Sequence, residues 1–252
     1  MDRIRPLTTW WFRTPDERSY YRRLIDAIIG AAGLSAAAAL GAIVASRLVS
    51  GADTALFRSI NHWPGSIYVP MWLIQLTGVI GAPLVLAAVA ALFRRFRLAA
   101  ALVVAIPLKT SAEAVAKIFV QRGRPAETVP DVILRGSSAA HGLSFPSGHA
   151  MVIFAIAALT VPYLNRWWKV LPWVLGGLVC LSRVYLGAHF PLDTAAGAGL
   201  GAFIGSVLNL AFGVPRPRDR RQVSHYFDAP GRLFRGVAGS RPAASCPMGS
   251  GC

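Results

Sequence analysis

Acidic residues are scarce in this chain. Eleven Asp and Glu stand against 26 Lys and Arg among 252 residues, and only 15% of the sequence is charged. Soluble domains carry about 25% charged residues. The hydrophobic fraction is 54%, and these residues come in long blocks rather than at amphipathic spacing. The composition therefore argues against a large soluble core and indicates an integral membrane protein.

Cysteine is scarce as well, with three residues at Cys180, Cys246 and Cys252. Their spacing does not match a metal site, and a disulfide framework is not expected. A cleaved export signal is not recognised either, because the first apolar run, Leu24–Val49, is longer than the about 7–15 residues of a signal core. We interpret this run as a retained membrane anchor.

Six apolar segments follow one another and are expected to cross the membrane, which takes about 20 residues each. The fold class predicted is all-α, a polytopic membrane bundle of about six transmembrane helices over residues 24–213. Residues 1–23 are basic and aromatic and are either an interfacial segment or a partly ordered tail, and 214–252 are expected to be basic and then disordered. The six segments are Leu24–Val49, Ile67–Phe93, Leu98–Val120, His149–Leu164, Val170–Leu186 and Asp193–Phe212, of which the fourth is short.

The net charge of +15 is concentrated at the termini and in short turns between apolar blocks. Because such turns do not form one basic face, nucleic acid is not expected as a partner. With an even number of spans, the basic groups fall on one side, which the positive-inside rule makes cytoplasmic. We expect a multi-pass protein of the inner or plasma membrane, with both termini cytoplasmic and three outer loops, 50–66, 121–148 and 187–192, on the other side.

The last span carries Gly197, Gly201 and Gly205 at every fourth position. This spacing is typical of close helix packing, either within the bundle or at a dimer face. The oligomeric state is not determined by the sequence.

The third span contains charges on one helix face. Lys109, Glu113 and Lys117 are spaced four apart, and Arg124 and Pro125 follow. Since a charge inside a span costs about 2.5–3.5 kcal/mol, this face must point into the bundle. Glu113 could simply neutralise a lysine. Alternatively, Lys117 and Arg124 converge as an ammonium and a guanidinium, which suits a phosphate group.

A second segment, Pro146-Ser147-Gly148-His149, stands just before an apolar helix. Ser147 is a good N-cap, Gly148 lets the backbone approach a ligand, and free N–H groups at a helix N-terminus bind anions. An ordinary capped helix start accounts for Ser147 but accounts poorly for His149, which could donate a proton.

The third segment runs from Ser182 and Arg183 to His189 and Asp193. Arg183 is costly near the end of a span unless it binds an anion. His189 and Asp193 are four apart, so in a helix the carboxylate could accept the ring N–H and leave the other ring nitrogen as a nucleophile. A purely structural His–Asp pair is the alternative.

Together these residues resemble a known family. The three segments are similar to the three motifs of the phosphatidic acid phosphatase type 2 (PAP2) superfamily, which includes the vanadium haloperoxidases. The first has Lys and Arg-Pro separated by six residues, the second is Pro-Ser-Gly-His, and the third is Ser-Arg followed by His and Asp. The similarity covers roughly Leu24 to Phe212, with the motifs complete and in order. It implies a PAP2/haloperoxidase-like helical core.

The resemblance also implies roles. His189 would attack phosphorus and form a phosphohistidine, with Asp193 orienting it, and His149 would protonate the leaving oxygen and then activate water. The phosphoryl oxygens would be held by Lys117, Arg124, Ser147, Gly148 and Arg183. The family needs no metal, and we expect neither a metal nor another cofactor.

Several polar residues outside these positions rank lower, and for each of them loop solvation is the simpler interpretation. Arg122 could assist a phosphate, two residues could touch a headgroup, and three in the first outer loop could cover the site. They are Arg122, Arg135, His141, Asp53, Asn61 and His62.

The function expected is an integral membrane lipid phosphate phosphatase. The preferred substrate is a polyprenyl diphosphate, with phosphatidic acid or phosphatidylglycerophosphate as further possibilities. A phosphotransferase that uses the same phosphohistidine, or a non-catalytic lipid-phosphate binding or transport protein, is the alternative. A soluble haloperoxidase is disfavoured because this chain is so apolar.

Overall fold

The structure is a computed structural model that describes residues 15–47, 50–136 and 138–217. The predicted interfacial segment lies largely before this range, and the predicted disordered tail lies beyond it. The described residues up to Arg216 belong to one compact unit.

Helices make up most of the described secondary structure, as the sequence predicts. The nine helices of the described residues are joined by four short 3-10 turns: Gly65–Ile67, Leu76–Gly78, Val161–Tyr163 and Arg166–Lys169. Two short strands, which the sequence did not indicate, pair into one small sheet: β1 (Pro15–Tyr21) and β2 (Val214–Pro217). The helices are α1 (Leu24–Ser46), α2 (Ser50–Asn61), α3 (Tyr68–Gln75), α4 (Ala82–Leu92), α5 (Phe96–Phe119), α6 (Pro125–Thr128), α7 (Gly148–Thr160), α8 (Leu171–Tyr185) and α9 (Pro191–Phe212).

Three helices of the described residues are long and apolar enough to cross a membrane on their own. These are α1, α5 and α9, with 23, 24 and 22 residues. Helix α7 extends through a 3-10 turn to Tyr163 but stays shorter than a full span, and α8 has 15 residues. Helix length therefore supports three spans, or four with a bent pair, and the count of six stays a prediction.

The second predicted span is not one helix. Gly65–Gly78 and Ala82–Leu92 meet at a bend of 64°. Pro83, at the start of α4, has no N–H to continue a helix and its ring would collide with the carbonyl four residues earlier. At the break, a Cβ on Gly78 would lie 3.0 Å from the carbonyl oxygen of His149. The bend thus brings this part of the chain against the start of α7.

The first outer segment, predicted as a loop, contains α2. Asp53, Phe57 and Asn61 are buried and lie four residues apart, so they share one helix face. Phe57 packs with Val184 and Phe190 next to the third motif. Helix α2 is therefore part of the wall around the motif residues.

Helix α9 lies between α1 and α7, and its glycines allow the close approach. A Cβ on Gly197 would lie 2.5 Å from the carbonyl oxygen of Ser147, and one on Gly205 would lie 2.8 Å from that of Ala155. On the opposite face, Gly199 meets Gly33 of α1. The predicted packing within the bundle is the arrangement observed.

Two basic residues, one before α1 and one at the start of α5, lie at the same end of the bundle. Arg97 Nη1 donates to the carbonyl of Phe212 at 3.0 Å, and its guanidinium lies 4.0 Å from the ring centre of Tyr20. Arg22 Nε donates to the carbonyl of Leu210 at 2.7 Å. Arg22 and Arg97 thus lie at the end of the bundle where α9 ends, away from the start of α7, where the second motif lies. Which side of a membrane this end faces stays a prediction.

Candidate active site

Residues of all three motifs line one cavity of about 520 Å³. Arg124 comes from the first motif, Gly148 and His149 from the second, and Arg183 and His189 from the third. Trp72 and residues at the break between α3 and α4 also line the cavity. Both imidazoles therefore face the same space, although 40 positions separate them in the sequence.

His189 is held in a tight turn between α8 and α9. Gly187 adopts a φ of 80°, which a residue with a Cβ rarely does, and Pro191 begins α9. The His189 ring is 5% exposed, and its Nδ1 lies 2.8 Å from the carbonyl oxygen of Ser144. Because a carbonyl only accepts, Nδ1 carries the hydrogen. Nε2 is then left with a lone pair.

Asp193 does not make the hydrogen bond to His189 that the spacing predicts. Its Oδ2 is 3.9 Å from His189 Nδ1. The reason is that the carboxylate is engaged elsewhere: Oδ2 accepts the backbone N–H of Phe190 at 2.9 Å, and Oδ1 accepts from Arg122 Nη1 at 2.9 Å. Asp193 therefore shapes the turn that carries His189, and the direct acceptor is Ser144.

The electrostatic surroundings keep His189 neutral. Burial lowers its pKa well below the ordinary value, and the charges of Arg183 and Arg124 lower the pKa further, while the bond to Ser144 raises it. An imidazole without a proton on Nε2 is the form that attacks phosphorus. The site thus favours a nucleophilic histidine.

Arg122 has a different position from the one expected of a phosphate-assisting or solvated residue. Its Nη2 lies 2.6 Å from Asp53 Oδ2, its Nη1 bonds Asp193, and its guanidinium stacks 3.9 Å from the ring centre of Phe190. The side chains of Asp53 and Asp193 are only 2% and 0% exposed. Arg122 therefore neutralises two buried carboxylates, and Asp53 is a buried partner rather than a solvated loop residue.

Three buried polar atoms in the motifs have no partner in the part of the chain that the structure describes. They are Arg124 Nε, Arg183 Nε and Ser147 Oγ. The two arginines each use another nitrogen, with Arg124 donating to the carbonyl of Ala188 at 3.0 Å and Arg183 to Gln75 Oε1. Buried donors are almost always paired, so unpaired ones need an explanation. Here they belong to residues predicted to hold phosphoryl oxygens.

Ser147 occupies the N-cap position of α7, but its side chain makes no capping bond. Instead its backbone N–H donates to the carbonyl of Asp193 at 3.0 Å, which ties the second motif to the third. A Cβ on Gly148 would lie 2.8 Å from Lys109 Nζ and 3.0 Å from Glu113 Oε2, so a larger residue here would displace these two side chains. Gly148 lines the cavity, where its backbone can meet a ligand.

Lys117 is not among the described residues that line the cavity, and its Nζ bonds Glu113 Oε1 at 2.6 Å. Its convergence with Arg124 on a phosphate stays a prediction. Glu113 and Lys109, one and two turns earlier on α5, line the cavity and form an ion pair. The sequence predicts that these charges share one helix face, but it does not predict which of them line the cavity.

The structure also clarifies the remaining polar residues. Gln75 was not predicted as a site residue, but it is buried and binds Arg183. Its polar amide within an apolar run could have indicated such a position. Asn61 is fully buried and joins the carbonyls of Ile133 and Tyr185, so it is structural. Arg135 donates to backbone carbonyls, whereas His62 and His141 are exposed as expected.

Within residues 15–47, 50–136 and 138–217, three or more His, Cys, Asp or Glu side chains do not come together in a group that could hold a metal ion. The expectation of a metal-free site stays a prediction.

Residues 96–216, which include every motif position described above, match the family model of the PAP2 superfamily. This part of the chain belongs to the PAP2 superfamily. Among curated proteins, it is similar to an undecaprenyl-diphosphatase of Sulfolobus acidocaldarius, with 41% identity over 24% of this chain and 30% of the relative. It is also similar to a decaprenylphosphoryl-5-phosphoribose phosphatase of Mycobacterium tuberculosis, with 41% identity over 32% of this chain and 43% of the relative. The chain thus spans less than half the length of these relatives.

Two solved structures of PAP2-type proteins have the same fold. LpxE of Aquifex aeolicus superposes with a TM-score of 0.57 at 29% identity, over 62% of this chain and 93% of that one. The transmembrane PAP2-type phosphatidylglycerolphosphate phosphatase of Bacillus subtilis superposes with a TM-score of 0.58 at 22% identity, over 71% and 94%. The apolar helices and these PAP2 neighbours together identify a membrane protein.

Proposed function

We propose that this protein is a membrane lipid phosphatase that removes a terminal phosphate through a phosphohistidine at His189. The observation that carries the proposal is the pair of buried, unpaired Nε atoms of Arg124 and Arg183 beside a neutral His189. A phosphoryl group supplies the acceptor oxygens that these donors lack. Ser147 Oγ and the Gly148 backbone N–H complete the set of donors.

The chemistry follows from the two imidazoles. Nε2 of His189 attacks phosphorus, and the bond from phosphorus to the leaving oxygen breaks as His149 gives that oxygen a proton. His149 then takes a proton from water, and the resulting hydroxide displaces His189 and releases inorganic phosphate. The arginines stabilise the charge that spreads over the phosphoryl oxygens in both steps.

The shape of the cavity favours a lipid. Leu76 and Ile80, at the break between α3 and α4, line the cavity and are also 41% and 53% exposed on the surface of the bundle. An apolar chain can therefore lie against this surface while its phosphate enters the cavity. The predicted topology would place the cavity at the non-cytoplasmic face, with both termini cytoplasmic.

A polyprenyl diphosphate is the preferred substrate, with phosphatidic acid and phosphatidylglycerophosphate as alternatives. The relative from Sulfolobus acidocaldarius is named for a prenyl diphosphate, and the solved relative from Bacillus subtilis for phosphatidylglycerolphosphate. A phosphotransferase would use the same phosphohistidine with another acceptor, and phosphorylated products formed from added alcohols would reveal it.

The deciding experiment compares the purified parent with His189→Ala across a panel of prenyl and glycerol lipid phosphates. We expect phosphate release to disappear in His189→Ala, and a phosphorylated histidine to be trapped in the parent alone. His141→Ala is the matched control, because the side chain of His141 is 87% exposed and outside the cavity. Turnover in His189→Ala equal to that of the control would reject the nucleophile.

A further inference from the structure

Lys109 is a cation of the cavity that none of the three motifs includes. Lys109 lines the cavity, its side chain is 12% exposed, and it pairs with Glu113. Glu113 also pairs with Lys117, so one carboxylate serves two ammonium groups and one positive charge remains. A charged lysine within a span is expensive, about 2.5–3.5 kcal/mol on insertion scales, and this remaining charge calls for a function.

The position of Lys109 differs from that of the arginines with respect to the two histidines. Arg124 and Arg183 act electrostatically on both imidazoles. Lys109 also acts on His149, and it lies beside the residue before His149, since a Cβ on Gly148 would be 2.8 Å from Lys109 Nζ. Lys109 therefore lies on the side of the proton donor, where the leaving group departs.

The environment of Lys109 changes from polar to apolar along α5. Above it, Nζ lies close to the backbone of Gly148. Beside and below it, a small void is lined by Ala105, Ile106 and Val152. Lys109 is thus the last charge before the apolar part of the bundle. An anion at this point would lie between the phosphoryl group under attack and an apolar tail.

The charges of the cavity lining agree with this placement. Among the described residues, three cations, Lys109, Arg124 and Arg183, and one carboxylate, Glu113, line the cavity. The two arginines act on both imidazoles, whereas Lys109 lies beside the residue before the proton donor. A lipid monophosphate has one anionic group for the arginines, whereas a diphosphate has a second one within reach of the ammonium.

We propose that Lys109, balanced by Glu113, is a specificity residue that binds the phosphate next to the tail in a lipid diphosphate. This inference rests on the proposed lipid phosphatase function. The ammonium holds the oxygens of the departing lipid monophosphate, while His149 protonates the bridging oxygen. Lys109 thereby favours diphosphates over monophosphates of the same chain.

The test uses farnesyl diphosphate and farnesyl monophosphate, which share one tail and differ by one phosphate. Lys109→Gln should lower kcat/KM for the diphosphate by about tenfold to a hundredfold, as expected for loss of one charge-assisted contact, and change that for the monophosphate by less than about threefold. Arg166→Gln, an exposed cation in the Arg166–Lys169 turn at the far end of α7, is the control and should change neither.

Glu113→Gln is an independent variant, for which the expected change in the preference for the diphosphate is opposite to that of Lys109→Gln. Removing the carboxylate leaves Lys109 fully charged, so the preference for the diphosphate should be kept or increase. Because both substrates are assayed on the same preparation, their ratio does not depend on the folded fraction. Lys109→Arg, which keeps the charge, should retain most of the preference.

The outcomes separate this inference from the function on which it rests. If the parent releases phosphate but Lys109→Gln lowers kcat/KM equally for both substrates, Lys109 is only a structural partner of Glu113 and the inference is overturned. If the parent releases phosphate from neither substrate nor from any other lipid phosphate, the proposed function itself is wrong.

Discussion

Arg122 and Arg124 are two residues apart in the loop after α5, yet their surroundings are opposite. Arg122 is neutralised by Asp53 and Asp193 at 2.6 and 2.9 Å and is stacked on an aromatic ring. The Arg124 side chain donates to the backbone carbonyl of Ala188, and its buried Nε is unpaired in the described structure. The charge of Arg122 is neutralised by carboxylates of the protein, whereas the charge of Arg124 is available to a ligand in the cavity.

The difference separates two functions that the sequence presents as one basic run. A buried ion pair fixes geometry and leaves little potential for a ligand, whereas an unpaired buried donor is stable only where an anion can meet it. Arg183 belongs to the second class, since its Nε is also unpaired. The region of Arg122 is therefore expected to hold the site together, and that of Arg124 and Arg183 to bind the substrate.

The largest expected effect of separating Arg124 and Arg183 from Arg122 is on the rate of catalysis. Arg124→Gln and Arg183→Gln should each lower kcat/KM by about a hundredfold to a thousandfold, because each removes a donor aimed at the charge that develops on the phosphoryl oxygens. Thermal unfolding in detergent should be nearly unchanged for Arg124→Gln. Retention of more than a third of the parent's kcat/KM in both variants would remove the distinction between the two regions.

Arg122→Gln should act mainly on stability. It leaves Asp53 and Asp193 buried without a counter-charge, and breaking such a pair typically costs about 3–5 kcal/mol. We expect a clearly lower Tm than that of Arg124→Gln, together with reduced kcat and a little-changed KM, because the turn that carries His189 loosens.

The matched control for Arg122→Gln is Arg58→Gln. Arg58 pairs with Asp131 at 2.9 Å, but the two side chains are 46% and 47% exposed. Exposed pairs contribute about 0–1 kcal/mol, so this variant should unfold close to the parent. A Tm equal in the two variants would mean that the network around Arg122 is not a structural support.

The sequence contains enough to predict which residues meet at the site, because the motifs combine unusual residue types at fixed short spacings beside apolar helices. It does not contain the partners of those residues. Arg122 and Asp53 are 69 positions apart, and Asn61 and Tyr185 are 124 apart. Such contacts depend on how the helices pack, which local spacing does not encode.

Two features of the fold could have been predicted and were missed. Gly78, Gly81 and Pro83 interrupt the second apolar run and mark the observed break. Asp53, Phe57 and Asn61 have helical spacing in a segment that was treated as a loop. The rotation of α5, by contrast, decides whether Lys109 or Lys117 faces the cavity, and an apolar helix with few charges leaves that rotation open.

The smallest predicted effect concerns pH and tests whether Arg124 faces His189. Burial and the nearby arginines lower the pKa of His189 well below its ordinary value near 6.5. The neutral nucleophile should therefore persist as the pH falls through 6.5. Phosphoenzyme formation, measured in the burst phase at saturating substrate, should decline only at lower pH.

Removing one cation should move this decline in a defined direction. Without the charge at Arg124, the protonated imidazole is less disfavoured, so the pKa of His189 rises and the acid limb of Arg124→Gln moves to higher pH, by about one unit or less. Arg58→Gln should leave the limb in place, which excludes a general effect of lost charge. Because the same substrate is used throughout, its own ionisation cancels in the comparison. An acid limb that stays put or moves to lower pH in Arg124→Gln would show that the guanidinium does not face the nucleophile, and Arg124 would then join Arg122 as a structural residue.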